Sequence, residues 1–142
     1  RHTLWGRLAH FFPETRTAVH LMYRAYLDDW DVSALNPEVR VYQLIGDSVV
    51  VRLRYRYHDQ VDSFFFRTEY SGTEDFVTAD PKMSNFFSHL FGVQLRVGLD
   101  FLSRTPLSFL ERAWVDLSFK YWHQTSTFGD AILAQAGLRA PF

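Results

Sequence analysis

The sequence predicts an all-β fold, an antiparallel up-and-down meander of about seven strands. Two observations carry this. Apolar and polar side chains alternate with period two in segment after segment, and side chains alternate faces in this way only along a strand. Between the segments stand Pro13-Glu14-Thr15-Arg16, Gly46-Asp47-Ser48 and other polar stretches suited to turns. Composition agrees. The 142 residues are 47% hydrophobic, which argues against disorder, and include no cysteine, which excludes a disulfide scaffold and a thiolate metal site. A formal net charge of -1 argues against a nucleic-acid binder. No apolar run approaches the roughly 20 residues of a membrane-spanning helix. No linker divides the chain, so residues 1–142 are expected to form one β-barrel domain or the C-terminal segment of a larger barrel.

The elements follow in order. Segment 2–12 has the weakest pattern, with Leu4 and Leu8 opposing Trp5 and Arg7. Segment 17–28 sets Val19, Leu21, Tyr23, Ala25 and Leu27 against His20, Met22, Arg24, Tyr26 and Asp28. Segment 38–45 is imperfect, with Val39, Val41 and Ile45 facing away from Arg40 and Tyr42. Segment 48–60 is the clearest: Val49, Val51, Leu53, Tyr55 and Tyr57 form one face, while Val50, Arg52, Arg54, Arg56 and His58 form the other. Segment 87–101 opposes Phe91, Val93, Leu95, Val97 and Leu99 to Gln94, Arg96, Gly98 and Asp100. Segment 113–121 opposes Val115, Leu117, Phe119 and Tyr121 to Trp114, Asp116, Ser118 and Lys120. Segment 131–142 opposes Ile132, Ala134, Ala136, Leu138, Ala140 and Phe142 to Gln135, Gly137 and Arg139. Short links are expected mainly at one end of the sheet and long ones, above all 59–84, at the other.

Period two does not say which face is inside. In a soluble barrel the apolar face points inward; in a membrane barrel it meets lipid and the polar face lines the lumen. Four features favour the membrane. The apolar faces run about five residues within segments of about ten, the length of a tilted membrane strand. Aromatics, 18% of the chain, gather near strand ends as in interfacial girdles: Tyr26, Trp30, Tyr55, Tyr57, Phe86, Phe87, Tyr121 and Trp122 at one end, and Phe12, Phe101 and Phe142 at the other. Small Gly92 and Gly98 lie on the polar face, opposite bulky Phe91, Val97 and Leu99. The chain ends on an aromatic after an alternating strand. The fold expected is therefore a meander forming part of a transmembrane β-barrel.

That ending resembles the C-terminal assembly signal of Gram-negative outer-membrane barrels, with Phe142 as the terminal aromatic and Ala140 and Leu138 at the alternating positions before it. Two internal segments, Tyr23-Arg24-Ala25-Tyr26-Leu27-Asp28-Asp29-Trp30 and Arg54-Tyr55-Arg56-Tyr57-His58-Asp59-Gln60, resemble an uncharacterised family of predicted proteobacterial outer-membrane barrel proteins. The similarity runs through most of the chain and corresponds to the C-terminal part of a longer member. It implies a bacterial outer-membrane location, with the lipid bilayer and the outer-membrane assembly machinery as partners, and no established activity. The start at Arg1 without Met, and an odd strand number, lead to the expectation of a processed product or fragment with an upstream strand missing.

The polar faces carry the candidate site. Arg24, Arg52, Arg54, Arg56, Arg96, Lys120 and Arg139 would form a basic lumen wall, with Asp28, Asp100 and Asp116 supplying opposite charge. One reading is a passive channel favouring small anionic solutes, because fixed cations attract counter-ions. The other is a salt-bridged network that fills a narrow barrel. The stripe Arg52, Arg54, Arg56 argues for the first, since its own strand offers it no carboxylate. A surface-protein role fits the same fold. The alternative is a soluble lipocalin-like barrel enclosing a small apolar ligand, with the arginines in water. Loop 59–84 is acidic and aromatic, but its spacing matches no calcium loop, and a solvated surface loop is the simpler expectation. His123, Thr125, Ser126 and Asp130 can be assembled into a hydrolase site without any recognised spacing. No metal site, cofactor or enzymatic activity is expected.

Overall fold

A computed structural model describes residues 1–140. They form seven antiparallel strands in one sheet, each hydrogen-bonded to the next in chain order: β1 (His2–Phe12), β2 (Thr17–Leu27), β3 (Ser33–Ile45), β4 (Val49–Val61), β5 (Phe86–Gly98), β6 (Trp114–Gln124) and β7 (Ala131–Arg139). This is the up-and-down meander that the alternation predicts. The sheet is open, with β1 and β7 as its edges. The remaining regular structure among the described residues is three short 3₁₀ turns, and no helix is long and apolar enough to cross a membrane.

The register aligns like with like. One row runs Val19, Val41, Leu53, Val93, Phe119, Ala134 from β2 to β7, and the next runs Leu8, Leu21, Val39, Tyr55, Phe91, Tyr121, Ile132 from β1 to β7. Cross-strand pairs on one face are the unit of sheet stability, so this register makes one continuous apolar face and leaves the other polar. A slip by one residue on any strand would mix the two.

Exposure separates the faces in an unusual sense. On the inner strands every exposed position except Arg24 lies on the apolar face: Leu53 is 51% exposed, Phe91 52% and Phe119 50%. Every buried position on the strands, namely Ala34, Ser88, Leu90, Gly98 and Gln124, lies on the polar face. The exceptions are Trp5, Phe11 and Leu133, exposed on the polar face of the edge strands.

Besides β6, which runs to Gln124 rather than Tyr121, three boundaries differ from the sequence expectation by three residues or more. First, β3 begins at Ser33 rather than at Glu38. Pro37 lacks an N–H, so the β3–β4 ladder has no pair between Leu35↔Asp59 and Glu38↔Arg56, yet the register continues across the gap. His58 Nδ1 restitches it by donating to Asn36 Oδ1 (2.7 Å). Second, β5 ends at Gly98; Leu99 leaves extended geometry (ψ 22°), and residues 100–104 form a 3₁₀ turn. Third, β7 ends at Arg139, and Phe142 lies outside the described residues. The segregation of link lengths is partial. Links 13–16 and 46–48 are tight turns, with Arg16 (φ 52°) and Gly46 (φ 59°) in the left-handed region. The β5–β6 connection at that same end is long and presents exposed Phe101 and Phe109.

The long β4–β5 connection is ordered by its own hydrogen bonds. The Tyr70 hydroxyl donates to the Phe65 carbonyl (2.7 Å) and accepts from the Thr78 amide (2.6 Å). Phe64, Phe65 and Phe76 pack edge-on or tilted, with Trp30 against Phe65. Glu74 accepts from the backbone amides of Ser71, Gly72 and Thr73 and from the Ser71 hydroxyl. These bonds, those from Ser71 first, lower its pKa from 4.5 to about 2. A depressed carboxyl stabilises the folded loop above pH 4.5, and that contribution is lost as pH falls through about 2. An NMR titration of the Glu74 carboxyl carbon should therefore show a midpoint near 2. A midpoint near 4.5 would mean that the loop does not hold this turn in solution.

Candidate functional site: the basic face of the sheet

The polar face is built by all seven strands. Its central rows pair Glu38 with Arg56, Arg40 with Arg54, and Tyr42 with Arg52 across β3 and β4. Arg24 sits beside Asn36 from β2, and Arg54, Gly92 and Lys120 share one row across β4, β5 and β6. Arg96 pairs with Asp116, and Arg139 with Trp114 at the far end. Arg24, Arg52, Arg54, Arg56, Arg96, Asp116, Lys120 and Arg139 thus share one face, as the alternation predicts. Asp100 does not sit on a strand: it lies in the 3₁₀ turn after β5, its carboxylate leaning over Gly98. Asp28 is likewise a loop residue; its carboxylate accepts from the Trp30 and Val32 amides and the Tyr26 hydroxyl. Leu138 lies on the apolar face, opposite Val115, and Ala140 follows the end of β7.

The charges are only partly paired. Glu38 is the hub, its side chain 8% exposed. One oxygen accepts from Arg54 Nη2 (2.8 Å) and the other from Arg40 Nε. Asp116 accepts from Arg96 Nε (2.9 Å) and Gln94 Nε2 (2.8 Å). Lys120 Nζ donates to Gln135 Oε1 (3.1 Å). Among the described residues, Arg24, Arg52, Arg56 and Arg139 make no ion pair. Arg52 lies over the Tyr42 ring, 6.0 Å from its centroid. The face is therefore neither fully paired nor free of pairing.

Asn36 escapes the sequence reading, which starts the strand at Glu38 just after Pro37, and Glu38 and Arg40, though inside that strand, are not among its candidate site residues. The parity was available: Asn36 and Glu38 keep step with Arg40 and Tyr42. A proline in the pattern hid it.

On the opposite face the aromatics form a belt toward one end. Tyr55 packs on Phe91 (ring centroids 5.0 Å apart), Tyr57 lies near His89 (5.3 Å), and the Tyr55 hydroxyl bonds His89 Nδ1 (3.0 Å). Tyr121 and His123 extend the same rows. The belt omits some aromatics that sequence position suggested: Tyr26, Phe86 and Trp122 lie on the polar face, paired with Ala34, Gln60 and Leu90. The His123 Nδ1 donates to Asp130 Oδ1 (2.7 Å), and the Tyr121 hydroxyl to Asp130 Oδ2 (2.6 Å). The Tyr121 bond first, then that from His123, holds the Asp130 carboxyl below its ordinary pKa. Ser126 and Thr125 are engaged elsewhere: Ser126 Oγ accepts from the Phe128 amide, and Thr125 Oγ1 bonds the Phe87 backbone. The four residues proposed as a hydrolase site thus give a His–Asp pair, without a hydrogen bond from either hydroxyl to His123 among the described residues. No group of three or more His, Asp or Glu side chains there is placed to hold a metal ion.

Fold and site together define an all-β meander with one lipophilic and one basic face. The chain belongs to a family of proteins of unknown function, DUF3570, whose profile matches residues 1–127. Comparisons with curated proteins and with solved structures find no match.

Proposed function

We propose that this chain forms part of a bacterial outer-membrane β-barrel, with its apolar face against lipid and its basic face lining an interior that admits small anions. The observation that supports this most is the inverted exposure: on the inner strands the exposed positions, Arg24 apart, fall on the apolar face, and the buried strand positions fall on the polar face. A sheet curved around its polar face has this pattern. A lipocalin-like barrel curves the other way and would shelter Leu53, Phe91 and Phe119. The outermost row of the belt, Tyr57, His89 and His123, suits the level of lipid headgroups, with Tyr55, Phe91 and Tyr121 the next row inward. From Tyr57 to Val49 the apolar face of β4 spans about 26 Å along the strand at ~3.3 Å per residue, which at a barrel strand's tilt of about 35–45° covers about 18–21 Å of a hydrocarbon band about 25 Å tall. The proposal assigns no catalytic step and no cofactor. Its partners are the bilayer, the outer-membrane assembly machinery and small anionic solutes.

The test is refolding from denaturant with and without detergent micelles, followed by circular dichroism and a gel of heated against unheated samples. A β spectrum and heat-modifiable mobility that require micelles are expected. A cooperative β fold in plain buffer would overturn the membrane reading and favour the ligand-enclosing one.

A further inference from the structure

The basic face contains a hollow of about 260 Å³ whose lining includes Arg24, Asn36, Glu38, Arg40, Arg54 and Arg56. Four arginines meet one carboxylate there. Both oxygens of Glu38 are already committed to Arg40 and Arg54. Arg24 and Arg56 have no acidic partner among the described residues, and Arg54 Nε is buried without a hydrogen-bond partner there. A buried donor left unmatched costs free energy unless something else accepts from it. Asn36 adds a neutral donor: its Oδ1 is held by His58, which leaves the Nδ2 hydrogens available.

We infer that this hollow is a saturable binding site for a tetrahedral oxyanion, a phosphate or sulfate group, free or carried on a small solute. The unpaired Arg24 and Arg56 would grip it, because a planar guanidinium offers two parallel N–H donors to two oxygens of one oxyanion. Asn36 would donate a further bond. Arg40 and Arg54 are positioning residues, fixed by Glu38, which also limits the excess of positive charge. Chloride has no pair of oxygens for the fork to address, so the site distinguishes oxyanions from simple halides. The inference deepens the basic-interior reading and rests on it for the site's place inside a barrel.

The experiment uses the full chain refolded in micelles of an uncharged detergent, free of phospholipid, with inorganic phosphate, sulfate and chloride titrated at constant ionic strength by calorimetry. Saturable binding of phosphate and sulfate above that of chloride is expected. Arg24→Gln and Arg56→Gln should each weaken it by about tenfold or more, the loss of a charge-assisted hydrogen bond. Arg56→Lys, which keeps the charge but loses the fork, should also weaken it, whereas Arg104→Gln, in the 3₁₀ turn after β5 and off the basic face, should leave it unchanged. Heat-modifiable mobility is recorded for each variant, so a folding defect is seen directly. Equal loss in Arg104→Gln, or no preference over chloride, would reduce the hollow to general electrostatics and overturn the inference. Refolding that requires micelles, without phosphate binding, would overturn the hollow and leave the barrel reading standing. The same phosphate binding by a chain folded in plain buffer would uphold the hollow and overturn the barrel.

Discussion

Leu53→Arg is expected to destabilise the lipid-refolded protein by about 2–4 kcal/mol, the cost of a cation near the bilayer midplane on the lipid face of a barrel. Leu53 stands in the middle of β4, 51% exposed, with Val41 and Val93 beside it in the register. In water, an exposed leucine replaced by arginine costs little, since surface substitutions fall within about 0.5 kcal/mol. The size of the effect therefore depends on the solvent that the apolar face meets. Equilibrium unfolding in liposomes measures it. A neutral result with correct refolding would mean that this face does not meet hydrocarbon.

The second large effect lies on the opposite face. Glu38→Gln should cost about 3–5 kcal/mol, because removing one partner of a buried pair leaves uncompensated charge behind. Glu38 is the sole carboxylate bonded to Arg40 and Arg54 among the described residues, and its side chain is 8% exposed. The Arg16–Asp47 pair is the internal control. Its side chains are 51% and 90% exposed, so Asp47→Asn should change stability by less than about 1 kcal/mol. Denaturant titration of the two variants in the same micelles compares them directly. Equal, small effects would show that the arginines are already satisfied by water, and that the hub is not structural.

Much of the architecture was legible in the residues because a half-buried sheet writes its two faces into the chain. Segment 2–12, the weakest pattern, nevertheless matches β1 at both ends, since Phe12 is followed by Pro13. The failures have physical causes. At Pro37 a missing N–H reads as the end of a strand, but the ladder to β2 continues through it and carries Asn36 into the site. At Leu99 the letters keep alternating while the backbone turns, because alternation describes side chains and cannot see a change in ψ. Tyr26, Phe86 and Trp122 stand near strand ends yet on the polar face, because parity decides the face and nearness to an end does not. Arg54's partner was invisible for a different reason: it comes from the neighbouring strand, and only the register brings Glu38 to it.

The inverted faces are the central claim, and a nitroxide scan of β4 tests them most directly. The chain has no cysteine, so single cysteines at positions 49–58 can be spin-labelled without background. In liposomes, labels at positions 49, 51, 53, 55 and 57 should be accessible to oxygen, which concentrates in lipid. Labels at positions 50, 52, 54, 56 and 58 should be accessible to a water-soluble nickel chelate. A period-two pattern of opposite phase, or equal water access at every position, would contradict the placement of the apolar face in lipid.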